Sequence, residues 1–106
     1  MKQLNLYIEQ GSDFIKNIIL HDKNDIPLNL NDKTITSFIT EGLSTSPIAE
    51  FIITILDSTN GLVQIQLPNS ITRTLNGTCY YDITVVDGTI VTIGAIGLIK
   101  VNFNVL

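Results

Sequence analysis

Hydrophobic and polar positions alternate along most of this chain, and nowhere do they hold a helical period for long. Leu4-Asn5-Leu6-Tyr7-Ile8-Glu9 predicts a first strand over 4–9. Gln10-Gly11-Ser12-Asp13 breaks it, and Phe14 to Leu20 predicts a second strand whose mixed pattern leaves its inner face open. His21 to Asp25 is a polar turn. In Ile26-Pro27-Leu28-Asn29-Leu30, Pro27 lacks an amide donor, so this piece belongs at a sheet edge or a crossover, with Leu28 and Leu30 inward. Thr34 to Thr40 predicts a strand with Ile35, Ser37 and Ile39 on one face and Thr36, Phe38 and Thr40 on the other. Residues 41–48 have the composition of a loop.

The second half repeats the pattern. Phe51, Ile53 and Ile55 point inward along one strand. Asp57 to Gly61 turns the chain, and Val63, Ile65 and Leu67 return on the core face. Pro68 to Leu75 is too short for a full helix. It predicts a single turn capped by Asn69 or Ser70, with Ile71 and Leu75 on its inner side.

The last third predicts a long hairpin. Tyr81, Ile83 and Val85 alternate before Asp87-Gly88, and Val91 and Ile93 alternate after it. An even-numbered loop would put these two sets on opposite faces. A three-residue loop, Val86-Asp87-Gly88, keeps them on one core face and gives Gly88 the left-handed position. The companion face then carries Tyr80, Thr84 and Thr92. Gly94 and Gly97 signal a bulge or a close backbone approach, which would switch the faces beyond it. Ile99, Val101, Phe103 and Val105 alternate to the end, so the last strand, with Lys100 among its polar positions, lies inside a sheet or against another subunit. Seven to eight short strands and no long helix predict one all-β domain over 1–106, an antiparallel Ig-like β-sandwich, with a small barrel as the alternative.

Charge narrows the function classes. Ten acidic and six basic residues give a net charge of −4 without a basic cluster, which argues against nucleic acid and against an anionic membrane surface. Charged residues make up 15% of the chain, against roughly 25% in typical domains. Two readings account for this: an Ile-rich β core in an organism whose codons favour Ile, Asn and Lys, or an apolar, uncharged surface partly covered by other subunits.

Candidate chemistry is sparse. Cys79 is the single cysteine, which excludes an intrachain disulfide, and it reads as a small buried hydrophobe. His21 reads as a surface residue at a strand end. Asp22, Lys23, Asn24 and Asp25 are too few oxygen donors for Ca²⁺, and one His with one Cys does not make a zinc site. No nucleophile elbow is present, so neither a catalytic set nor a cofactor is expected. The expected interface residues are Tyr80, Phe38, Thr84, Lys100 and Phe103: aromatic anchors and hydroxyls on outward positions, plus the final strand.

Four segments, taken in order, also carry a resemblance. Gln10-Gly11-Ser12-Asp13-Phe14 is a Gly-centred break. Leu20 to Thr34 holds Asp22, Asn24-Asp25, Pro27 and Leu30 at characteristic spacings. Thr59-Asn60-Gly61 leads into Leu62-Val63-Gln64-Ile65-Gln66-Leu67. Leu75-Asn76-Gly77 leads into Tyr80-Tyr81-Asp82-Ile83 and Asp87-Gly88, then Gly97 to Val101. This order resembles the small β-sandwich virion proteins of tailed phages, including the N-terminal domains of phage upper-baseplate proteins. The family often has Gly where Ile26 and Asp32 stand, and basic residues on a middle strand. The resemblance implies a structural part of a phage particle assembled in the host cytoplasm, present in many symmetric copies. Its partners would be other virion proteins and copies of itself. A carbohydrate- or host-binding module on the same architecture is the alternative. It would have to work with Tyr7, Tyr80 and Tyr81 as platforms, since there is no Trp.

Overall fold

The computed structural model describes residues 2–42 and 46–102. Alternation and β-branched residues give ten strand segments there: β1 (Lys2–Gln3), β2 (Leu6–Glu9), β3 (Phe14–Ile19), β4 (Thr34–Thr36), β5 (Phe38–Thr40), β6 (Ala49–Glu50), β7 (Ile52–Asp57), β8 (Leu62–Leu67), β9 (Thr78–Asp87) and β10 (Ile90–Asn102). One helical turn, α1 (Asn69–Thr72), is the only helix among the described residues.

The strands form two sheets. The larger has seven segments: β9 and β10 lie at its centre, β1 and β2 line the free side of β10, and β4, β5 and β6 lie on the side of β9. The smaller has the order β3-β8-β7, antiparallel throughout. The expected all-β class therefore holds. The expectation of a purely antiparallel fold does not, because β1 and β2 both run parallel to β10. A period of two reads the same in either direction, so alternation carries no information about strand sense.

One buried cluster joins the inner faces of both sheets. It includes Tyr81 and Ile83 from β9, Ile99 from β10, Ile8 from β2, and Val63 and Ile65 from β8. In β3 the even positions face in, with Phe14 half-buried and Ile18 buried, and Leu20 just beyond is also buried. Ile39 and Ser37 are buried and Phe38 is exposed, as the alternation predicts. Leu30 is buried and Leu28 packs against the core. Ile55 departs from expectation. It is in register with buried Val63, yet it is 43% exposed, because β7 is an edge strand with no further element beyond it.

The final hairpin is also corrected. Asp87 pairs with Ile90, so the loop is the two residues Gly88-Thr89. Gly88 takes φ 61°, and Gly at the first central position is the type II′ arrangement that suits strand twist. The even loop turns Val91 and Ile93 outward, where they are 61% and 40% exposed, and turns Thr92 toward the core side opposite Val85. The register then shifts between Ile93 and Ala95, at Gly94. This bulge returns the odd positions to the core: Ala95 and Ile99 are fully buried.

Breaks in the chain hold the sheets together. The segment after β2 docks on α1. Thr72 is buried, its hydroxyl donates to the Ser12 carbonyl (2.8 Å), and it accepts from the Gly11 amide (3.2 Å). The cap of α1 comes from across the fold: the Asp13 carboxylate accepts from the Asn69 amide (2.7 Å), where Asn69 or Ser70 had been expected to cap. Positive φ falls on Asp25 and Asp32. A left-handed residue thus stands at Asp32. In the preceding turn it sits at Asp25, one residue before Ile26.

Candidate functional site

Alternation turns the even residues of β9 away from the core. Thr78, Tyr80, Asp82, Thr84 and Val86 therefore stand on the outer face of the larger sheet. Register extends that face to both sides. Lys100 lies opposite Thr78, Leu98 opposite Tyr80, Ile96 opposite Asp82, and Ile93 opposite Thr84. Tyr7 flanks Lys100 on β2. On the other side Thr36 pairs with Thr84 and Thr40 with Tyr80, and Phe38 between them comes opposite Asp82.

Four of the five expected interface residues, Tyr80, Phe38, Thr84 and Lys100, are thus brought onto one face. Phe103 lies outside the described residues. Thr92, expected beside them, is on the opposite face. The reading of alternation missed a row along β10: Val91, Ile93, Ile96 and Leu98. Val91, Ile93 and Leu98 are exposed, and so is Tyr7. Gly88 at the first turn position together with Gly94 was the available signal, since an even loop followed by a bulge turns this row outward.

The face is grooved beside Tyr80. One open concavity of about 500 Å³ is lined by Gln3, Asn5, Tyr80, Ile96, Gly97 and Leu98. A second, of about 390 Å³, shares Tyr80, Ile96 and Gly97 and reaches Phe38, Thr40 and Asp82. The first strand is interrupted between β1 and β2, and there the Leu98 amide donates to the Asn5 side-chain oxygen (3.2 Å). Gly97 sits beside this interruption, where an added Cβ would strike the Leu4 carbonyl.

The face carries few charges. From Thr34 and Val86 to Thr84 and Ile93 the strands carry hydroxyls and aliphatic side chains, with Asp22 and Lys23 lining a hollow beside Val91 and Ile93 and Glu50 in register with Phe38. Asp82 and Lys100 are its central charges. Ionisable groups elsewhere are committed to structure. Burial pushes the Tyr81 phenol up to about 12, and its hydroxyl donates to the Leu4 carbonyl (2.6 Å). Burial, with Glu41 adding to it, raises the Cys79 thiol, which is fully buried as expected. Amides of Ile26 and Asn24 hold the Asp22 carboxyl below its usual range. His21 is half-buried, not at the solvated surface, and its Nδ1 is buried with no hydrogen-bond partner among the described residues. Among the described residues no group of three or more His, Cys, Asp or Glu side chains could hold a metal ion. What this face offers chemically is contact area: aliphatic and aromatic side chains with a hydroxyl border.

Comparisons with known proteins found no family model that matches the chain and no match among curated proteins.

Proposed function

We propose that the chain is a structural protein of a tailed-phage virion that works by subunit–subunit assembly, as a baseplate, tail or neck adaptor or a capsid-surface accessory. An Ig-like packing of the two sheets belongs to the same reading. One observation carries the assembly role. An antiparallel sheet with one face in solvent normally alternates apolar-in and polar-out, whereas the outer row of β10 is Val91, Ile93, Ile96 and Leu98. An exposed apolar row of this kind fits a surface covered by a neighbour. The phage setting rests on the motif order from Gln10 to Val101. The partners in this reading are other virion proteins and further copies of the chain, and the place of action is the particle.

Two measurements test it. Light scattering on the purified chain should show concentration-dependent association that Ile93→Lys with Leu98→Lys weakens, at an unchanged thermal midpoint. Averaged density of a particle containing the chain should show symmetric copies with the β10 row covered. Density in which the chain touches no neighbour would sink the reading.

The groove favours a second reading, a carbohydrate- or host-binding module, because it sets the Tyr80 ring beside the amides of Gln3 and Asn5. A monomer that binds a glycan array and loses binding on Tyr80→Ala would support it over assembly.

A further inference from the structure

Two Asn-Gly pairs lie in turns of this chain, Asn60-Gly61 and Asn76-Gly77. Glycine has no Cβ, so its amide nitrogen reaches the preceding asparagine side chain with the least hindrance. The fold treats the two pairs differently. Gly61 is buried, its carbonyl accepts from the Leu20 amide (2.9 Å), and an added Cβ would crowd the Leu28 and Leu20 carbonyls. The Asn60 side-chain NH2 donates to the Asp57 carboxylate (2.8 Å), and the Asn60 main-chain amide donates to the same carboxylate (3.4 Å). Asn76 and Gly77, in contrast, are exposed between α1 and β9. Gly77 takes φ 64° with open space where a Cβ would stand, and among the described residues its amide donates to no acceptor. The Asn76 side-chain oxygen accepts from the Gln10 side chain (3.0 Å).

We propose that Asn76 converts spontaneously, in the folded protein, to aspartate and isoaspartate through a succinimide closed by Gly77. Water is the co-reactant, and nothing is oxidised or reduced. A solvent base takes the Gly77 amide proton, the nitrogen bonds to Asn76 Cγ, and the side-chain nitrogen leaves as ammonia with a proton from water. Water then opens the ring. Addition at Cγ breaks the new bond and leaves aspartate. Addition at the Asn76 main-chain carbonyl breaks the original peptide bond and leaves isoaspartate, with the chain running through Cγ. Hydrogen-bond partners sort the two sites. Gln10 donates to the oxygen that becomes negative as nitrogen adds to Cγ, which stabilises that charge. At Asn60 the partner is a carboxylate held by the leaving nitrogen, which opposes the same step and has to be released first. The products differ as well. Aspartate keeps an acceptor for Gln10. Isoaspartate adds a carbon to the main chain beside Gly77, whose carbonyl accepts the Val101 amide (2.9 Å) and ties the end of β10 to the start of β9. The added carbon loosens that tie. This site does not rest on the phage reading.

The full chain is aged in warm, mildly alkaline buffer, and its peptides are mapped by mass and fragment ions. Residue 76 should exchange NH2 for OH and yield both products, while residue 60 lags behind it roughly ten-fold or more. In urea the contrast should disappear, because the unfolded chain exposes both pairs alike. An Asn76 that converts in urea but stays intact in the folded chain overturns the proposal, as does an Asn60 that converts as fast as Asn76 in the fold. The same contrast in urea would assign it to local sequence and overturn the part given to Gln10 and Asp57. Asn76→Gln lengthens the side chain and disfavours the ring, so the mass change at that position should vanish. Its persistence in that peptide would place the chemistry at another residue and overturn the assignment. Purified isoaspartate protein should exchange the Val101 amide faster than the parent, and unchanged exchange there overturns the loosening of β10.

Discussion

Tyr81 and Gly97 pair across the central hairpin, and each depends on the other's surroundings. The Tyr81 ring packs edge-on to Phe51, and its hydroxyl supplies the hydrogen bond to the Leu4 carbonyl at the first-strand kink. Tyr81→Phe keeps the ring and strands that carbonyl, so stability should fall by about 1–3 kcal/mol, measured by urea unfolding. The phenol also predicts an alkaline limb. Its folded pKa is raised to about 12, above the ordinary 10, so its contribution is complete below pH 10 and is lost as pH rises from 10 to about 12. Tyr81→Phe should flatten that part of the stability profile. At Gly97 an added Cβ would strike backbone, whereas at Gly11 it would meet open space. Gly97→Ala should cost about 3 kcal/mol or more, since backbone has to move. Gly11→Ala bears only its left-handed penalty, about 1–2 kcal/mol. Thermal unfolding of the two variants gives the comparison. Alternation made Tyr81 legible as a core residue. Its partner Leu4 was not legible, being 77 positions away in sequence.

Among the elements, those bounded by local rules were the most readable. The β7–β8 hairpin and the buried face of β8 follow from a period of two and a turn ending in Gly61. The β9–β10 hairpin was legible as a hairpin but not in register. One residue of loop length reverses every side chain beyond it, and only the pairing of Asp87 with Ile90 settles that length. The turn α1 shows a different limit. Its place was readable from Pro68 to Leu75, but its cap is Asp13 and its buried hydroxyl serves Ser12. Thr72→Val preserves shape and removes both hydroxyl contacts with the Gly11–Ser12 break. It should lower stability by about 1–3 kcal/mol and raise amide exchange at Gly11, which hydrogen-exchange NMR would detect. Unchanged exchange there would mean that the break holds without Thr72.

At the scale of the whole molecule, the outer face of the larger sheet and the edge at β7 point away from the shared core. Thr54→Lys on that edge should leave association through the β10 row in place, whereas Ile93→Lys should weaken it, with sedimentation velocity reading both. Equal loss of association in the two variants would point away from the β10 row as the contact. The candidate face was half legible. Tyr80, Phe38, Thr84 and Lys100 were readable as outward positions from alternation alone, whereas a three-residue loop in place of the observed Gly88-Thr89 put Val91 and Ile93 inward.

By itself the sequence determined the all-β class, most strand positions, the inward set on β8 and β9, and the scarcity of charge. Each of these depends on neighbours a few residues apart, where side-chain period and turn chemistry act. Tertiary structure alone decided the parallel sense of β1 and β2, the hairpin register, the cap from Asp13, and the convergence of β5, β9 and β10 residues on one face. Those are set by contacts between segments distant in the chain, and a period of two is blind to them: it states which residues share a side of one strand, not which strand lies beside it or in which direction it runs.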